Sequence, residues 1–116
     1  GDLKLNDVEL SASEQVRLEA LMNLSVDSAR FSSGLKEVMM RATTIDLSNI
    51  DFPTVATVNM QTLKGGIEGK YPTFGPGNRA YGRVNFLKNI SHGGNPIMDR
   101  PSFDLHGTKI NITKLP

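Results

Sequence analysis

The sequence predicts an all-β, single-domain β-solenoid, a right-handed parallel β-helix with rungs of about 21 residues and a loop-rich C-terminal cap. Three observations predict this class. Segments 3–10, 24–31 and 45–52 repeat one apolar pattern at a fixed spacing of 21 residues. A second set of short apolar alternations lies between them. The chain also contains no cysteine, which excludes a disulfide scaffold.

The three eight-residue segments 3–10, 24–31 and 45–52, which we call octads, share an internal pattern. Apolar residues alternate with polar ones, which is the period of a strand with one buried face. A polar pair interrupts the alternation at 6–7, 27–28 and 48–49, and each pair consists of Asn, Asp or Ser. These residue types tolerate left-handed backbone and bond their own main chain. We therefore expect a bend there that lets both arms turn their apolar side chains inward.

The second set of alternations occupies 16–20, 38–42 and 58–62 and drifts by one residue relative to the octads. Two sets with nearly equal periods predict two strands per rung. Successive rungs should pair in parallel, because a single rung cannot bury its own apolar face. Equivalent side chains are then expected to stack in two columns, one of Leu10, Phe31 and Phe52 and one of Val16, Val38 and Val58.

A helix is the competing interpretation of residues 13–24. This segment is rich in helix-forming residues and has possible N-caps at Ser11 and Ser13. Its counterparts at 38–42 and 58–62 lack that composition. Because helix propensity is readily overridden by tertiary context, we expect a strand.

The chain divides into two parts of one domain. Residues 1–63 are predicted to form the β-helix rungs, and residues 64–116 a glycine-rich loop with terminal strands. Within the second part, 64–82 reads as a long loop. Residues 64–107 either cap the repeat or form a rung with a large insertion.

Regular strand structure is expected again at 83–90, a segment that resembles an octad with one inserted residue. A glycine-rich turn at 91–96 follows, and 108–115 alternates as a last strand. The first residues, Gly1 and Asp2, suggest a processed or trimmed fragment of a longer protein.

Composition excludes several classes of function. The 13 basic and 12 acidic residues are interspersed, so the basic stripe typical of nucleic-acid binding is missing from the sequence. No run of apolar residues is long enough for a membrane-spanning helix. We expect no nucleic-acid partner, no membrane span and no cofactor.

Residues 44–53 and 82–96 resemble a known group of proteins. Their sequences, TIDLSNIDFP and GRVNFLKNISHGGNP, are similar to C-terminal rungs of filamentous-haemagglutinin-like and autotransporter-passenger-like exported repeat proteins of Gram-negative bacteria. The resemblance implies a β-helix at the cell surface or secreted from the cell. It implies a structural or adhesive module and offers no catalytic motif.

The two histidines do not have the spacing of a metal site. His92 and His106 lie near Asp99 and Asp104, but neither the spacing nor a helical context matches a metal site. We predict two surface turn histidines and no metal.

An enzyme is the main rival hypothesis, a polysaccharide lyase-like or carbohydrate-binding β-helix fragment. In this hypothesis, the side chains of Asp46, Asp51, Lys36 and Arg41 project outward from neighbouring segments. Outward charges on a repeat are ordinarily its solvated face, so we predict that the chain is not an enzyme. A spacer without a ligand is a third possibility.

Calcium at the bends is a further candidate. Two polar columns run there, Asn6, Asp27 and Ser48 beside Asp7, Ser28 and Asn49. The glycine-rich calcium repeat is missing from the sequence, and hydrogen bonding along the bends explains the columns more simply.

Partner contact is predicted for three aromatic residues. Tyr71, Phe74 and Tyr81 decorate the long loop, where aromatic anchors suit binding, although packing onto the core explains them equally well. A surface polysaccharide or another protein is the partner considered.

Overall fold

The computed structural model describes residues 1–62, 83–97, 103–105 and 108–114. Their regular structure is entirely β. The strands are β1 (Leu3–Leu10), β2 (Gln15–Glu19), β3 (Asn23–Phe31), β4 (Glu37–Ala42), β5 (Thr44–Phe52), β6 (Thr57–Thr62), β7 (Arg83–His92), β8 (Asn95–Pro96), β9 (Phe103–Leu105) and β10 (Thr108–Lys114). In these ranges, no helix is long and apolar enough to cross a bilayer.

Two five-stranded sheets form, and the chain alternates between them over its first six strands. The first has the order β1-β3-β5-β7-β8 and the second β2-β4-β6-β10-β9. The octads thus supply one sheet and the intervening segments the other. Strand β7 extends the first sheet and β10 extends the second. Each sheet therefore contains residues from both predicted parts of the domain.

Strand pairing follows the predicted registers. Leu10 pairs with Phe31 in parallel strands. Val38 pairs with Val16 on one side and with Val58 on the other. These pairings confirm the column positions predicted from the sequence. Equivalent residues stack because each apolar side chain is covered by its equivalent in the neighbouring strand.

The predicted class is nevertheless wrong. A right-handed parallel β-helix of even 21-residue rungs requires all-parallel sheets and a constant offset between neighbouring strands. Here both sheets are mixed, since β8 pairs with β7 and β9 with β10 in antiparallel fashion. The offset between paired strands also changes after β6: β7 pairs with β5 at an offset of 39 residues up to Leu47 and of 40 residues from Ser48. The structure is an all-β fold of two mixed sheets.

The strand expected in 13–24 is confirmed, and the competing helix interpretation is wrong. Residues 15–19 form β2, and β3 already begins at Asn23. Val16 and Leu18 alternate with exposed residues and are buried. Pairing with β4 therefore outweighs the helix propensity of this segment.

The polar pairs bend the strands as expected. The second residue of each pair, Asp7, Ser28 and Asn49, has φ of 53°, 63° and 53°. Asn89 repeats this geometry in β7 with φ of 52°. One positive φ per octad restores the inward direction of the apolar side chains after each bend.

The inserted residue predicted in 83–90 is confirmed. The register of β5 against β7 shifts between Leu47 and Ser48, so Leu47 faces Phe86 and Ser48 faces Lys88. Leu87 is the extra residue, and its side chain is 63% exposed. A bulge of this kind keeps the flanking apolar residues on the core face.

The core lies between the two sheets. Its fully buried side chains come from the inner strands of both, and they include Leu24, Val26, Ile45, Leu47, Val38, Met40, Val58 and Met60. Burial of each such side chain contributes roughly 1.5–3 kcal/mol. Phe52 closes this core at one end of the first sheet.

Candidate functional site

The last residues of four parallel strands form a column at one end of the first sheet. Leu10 pairs with Phe31, and Phe52 pairs with His92. The ring centroids of Phe31 and Phe52 are 5.6 Å apart, and those of Phe52 and His92 are 6.2 Å apart. Phe52 is fully buried between these neighbours. Phe31 and Phe52, the two middle members of the column, also line the larger pocket described below.

His92 is a core residue, and its prediction as a surface turn histidine is wrong. Its side chain is 3% exposed. Nε2 lies 2.9 Å from the carbonyl oxygen of Pro53, so Nε2 carries the proton and donates it. Nδ1 is buried and has no hydrogen-bond partner among the described residues. The octad pattern of β7, followed past Ile90, would have assigned His92 to the position of Phe52.

The turn after His92 is held by short contacts to the end of β5. Gly93 and Gly94 join β7 to β8 and have φ of 58° and 82°. Gly93 N donates to the Phe52 carbonyl at 2.8 Å. Asp51 Oδ1 accepts from Ser91 Oγ at 2.7 Å and from Gly94 N at 3.0 Å. The Asp51 carboxylate is thereby fixed in position.

A pocket of about 290 Å³ opens beside this turn. Its wall combines the partly buried Phe31 with Val55, which is 66% exposed. Asp51 and the exposed hydroxyl residues Ser33 and Thr54 supply polar groups at its rim. We call this the Phe31 pocket.

A second pocket of about 230 Å³ also reaches Phe31. Its charged residues are Glu9 and Arg30. Arg30 lies 2.8 Å from Asp7 and 3.6 Å from Glu9 through its guanidinium nitrogens. The hydrogen bond to Asp7 raises the pKa of Arg30 above its ordinary value. The cation of this pocket therefore already has two carboxylate partners.

The bends carry a ladder of amide and carboxylate groups. Asn49 Nδ2 donates to Asp27 Oδ1 at 2.9 Å, and Asn89 Nδ2 donates to Asn49 Oδ1 at 3.0 Å. The hydrogen bond from Asn49, then that from Ser28, lowers the pKa of Asp27. These contacts support hydrogen bonding along the bends. Within the described ranges, no group of three metal-ligating side chains comes together.

The charged residues of the enzyme hypothesis make local contacts. Asp46 accepts from Asn85 Nδ2 at 2.8 Å. Lys36 lies 3.3 Å from Glu14, and Arg41 lies 3.9 Å from Glu19. Asp46 and Asp51 belong to the same strand, and each binds a residue of β7.

The aromatic residues predicted to contact a partner, Tyr71, Phe74 and Tyr81, lie outside the described residues, as do His106 and Asp99. Sequence reasoning missed the Phe31 pocket, because the pocket joins the end of β3 to the segment that follows β5. The available signal was the aromatic residue closing the second octad, directly ahead of Ser32, Ser33 and Gly34.

Comparison with known proteins adds no relative: the chain matches no protein-family model, no curated protein and no solved structure.

Proposed function

We propose that this chain is a structural or adhesive module of an exported cell-surface protein and that it binds a surface polysaccharide in the Phe31 pocket without catalysing a reaction. The observation that carries the proposal is the composition of that pocket. An apolar wall and a fixed carboxylate meet there at the ends of paired strands. Recognition sites commonly combine an apolar surface with a few well-placed polar groups.

The apolar part of the pocket suits one face of a sugar ring. Phe31 contributes an aromatic side chain held against Phe52, and Val55 contributes an exposed aliphatic one. Aromatic and aliphatic surfaces pack against the C–H groups of a pyranose. The volume of about 290 Å³ is close to the lower end of the range for small-ligand sites. One or two sugar units match this size.

The polar part suits the hydroxyl groups of the same ring. Asp51 is held through Oδ1 by Ser91 and Gly94, so its carboxylate needs no reorganisation to accept a ligand hydroxyl. Ser33 adds a hydroxyl group that can both donate and accept a hydrogen bond. Such preorganisation lowers the entropic cost of binding.

The absence of catalysis in this proposal rests on the roles of the carboxylates. Asp51 and Asp46 accept hydrogen bonds from β7 and thereby fasten β5 to its neighbour. The surface location rests on the resemblance of 44–53 and 82–96 to exported repeat proteins.

The proposal is tested by probing the purified chain on an array of bacterial surface polysaccharide fragments. We expect binding to one fragment class, and loss of at least about tenfold in affinity in Ser33→Arg, since the new side chain occupies the pocket. Ser13→Arg is the matched control, because Ser13 is an exposed serine that lines neither pocket. It should bind like the original chain.

Two results contradict the proposal. One is the failure of every fragment to bind to a folded chain. The other is binding that survives Ser33→Arg, which would move the contact surface elsewhere.

A further inference from the structure

Among the described residues, strand β1 is an edge of the first sheet and pairs with β3 alone, on one side. Leu3 and Leu5 remain partly exposed, whereas their partners Leu24 and Val26 are fully buried. An edge strand with a row of half-covered apolar residues is a template for another strand.

The sequence of β1 is complementary to itself when read in the opposite direction. In the strand LKLNDVEL, an antiparallel copy brings apolar residues opposite apolar ones, amide opposite carboxylate and amine opposite carboxylate. The opposed pairs are Leu3 with Leu10, Lys4 with Glu9, Leu5 with Val8, and Asn6 with Asp7.

The burial of β1 has the same two-fold pattern. Partly buried and exposed residues alternate from each end and meet at two exposed residues, Asn6 and Asp7. In an ordinary strand these two neighbours would face opposite sides of the sheet. The positive φ of Asp7 changes the phase of the alternation at this point. A two-fold axis through the bend therefore keeps the apolar residues of both copies on the same face.

From this we propose that β1 pairs antiparallel with β1 of a second copy of the chain and joins the two first sheets into one. The contact is isologous, as expected for a symmetric dimer. It extends the half-covered apolar row with an equivalent row and places two Lys4–Glu9 pairs across the interface. Both side chains are exposed in the single chain.

The centre of the interface repeats a contact that the fold already uses. Asn6 of each copy faces Asp7 of the other, and the amide of Asn49 donates to the carboxylate of Asp27 in the same way within the chain. Asp7 and Glu9 are each approached by Arg30 of the neighbouring strand. That cation offsets the local negative charge when two copies meet.

Charge reversal tests the register, with sedimentation velocity at low salt as the measurement. The unaltered chain should show a concentration-dependent monomer–dimer equilibrium. Lys4→Glu and Glu9→Lys should each weaken the dimer by about tenfold, because each places like charges opposite one another twice. Lys88→Glu is the control: it reverses an exposed lysine of β7, a strand separated from β1 by β3 and β5, and should leave the dimer intact.

The most decisive experiment combines the two charge reversals. An equimolar mixture of the two single variants restores both opposite-charge pairs and should regain the dimer, as should the double variant Lys4→Glu/Glu9→Lys. A monomeric unaltered chain would overturn the proposal and leave the β1 edge to another strand. A dimer insensitive to the single changes, or one that neither the mixture nor the double variant restores, would overturn it as well.

Discussion

Asn49 and Asp27 are joined side chain to side chain across two parallel strands, with 2.9 Å between Asn49 Nδ2 and Asp27 Oδ1. Each lies at a bend, and Asn49 itself has left-handed backbone. The same contact lowers the pKa of Asp27. One hydrogen bond thus links the bend geometry of the octads to the dependence of folding on pH.

The first prediction concerns the loss of folding stability at low pH. Because the folded pKa of Asp27 lies below that of the unfolded chain, its stabilisation is complete above the ordinary aspartate value of about 3.9. It is lost as the pH falls through the lower, folded pKa. Asp27→Asn does not titrate, so this variant should lose less stability than the original chain between about pH 6 and about pH 2.5. Urea denaturation across this range measures the difference. An equal loss in both chains would contradict the assignment.

The second prediction concerns Ser28, which has φ of 63°. Asparagine tolerates left-handed backbone better than serine and occupies the equivalent positions 49 and 89. Ser28→Asn should therefore stabilise the fold by about 0.5–1 kcal/mol. Ser25→Asn, in the ordinary part of the same strand, should not stabilise it, since asparagine is disfavoured in strands. A lower melting temperature for Ser28→Asn would count against this account of the bends.

The third prediction compares two glycines of one turn. A Cβ added at Gly93 would overlap Thr54 Oγ1, whereas one added at Gly94 would meet no atom of the described residues within 4 Å. Both residues have positive φ, so both alanine variants are strained. Gly94→Ala should cost about 1 kcal/mol and Gly93→Ala about 2–3 kcal/mol, because it adds the clash. Equal losses in thermal denaturation would show that Thr54 does not constrain the turn.

The fourth prediction concerns the column of rings. Phe52→Ala should lower stability by about 3–5 kcal/mol, since it empties the position between Phe31 and His92. Phe52→Leu should retain most of the packing and cost about 1–1.5 kcal/mol. Leu87→Ala alters a side chain that is 63% exposed and should stay within about 0.5 kcal/mol. A similar cost for all three variants would be inconsistent with Phe52 as the end of the core.

Local features were largely predictable from the sequence, because they depend on short patterns. The alternation in the octads predicted the strands, and the fixed spacing predicted the register of β1, β3 and β5. The polar pairs predicted the bends, since few residue types adopt positive φ at low cost.

The architecture was not predictable to the same extent. Antiparallel β8 depends on a tight turn at Gly93 and Gly94, and β10 joins β6 from far along the chain. Neither pairing is encoded by the octad spacing. Extending a regular repeat to the whole chain therefore predicted the wrong class.

The candidate site has one part that was predictable from the sequence and one part that was not. The position of Phe31 in the column follows from the repeat. The pocket beside it does not, because its other walls come from Val55 and from Gly93, which are distant in sequence from Phe31. His92 shows that an octad pattern with one inserted residue must be followed to its end before a side chain is assigned to the surface.

Polysaccharide binding in the Phe31 pocket is the central claim, and mapping of amide chemical shifts tests it most directly. The ¹⁵N-labelled chain is titrated with the polysaccharide fragment that binds on the array. The account predicts the largest shifts at Phe31, Ser33, Val55 and Gly93, with the amides of β4 unchanged. Shifts confined to other surfaces, or none at saturating ligand, would contradict it.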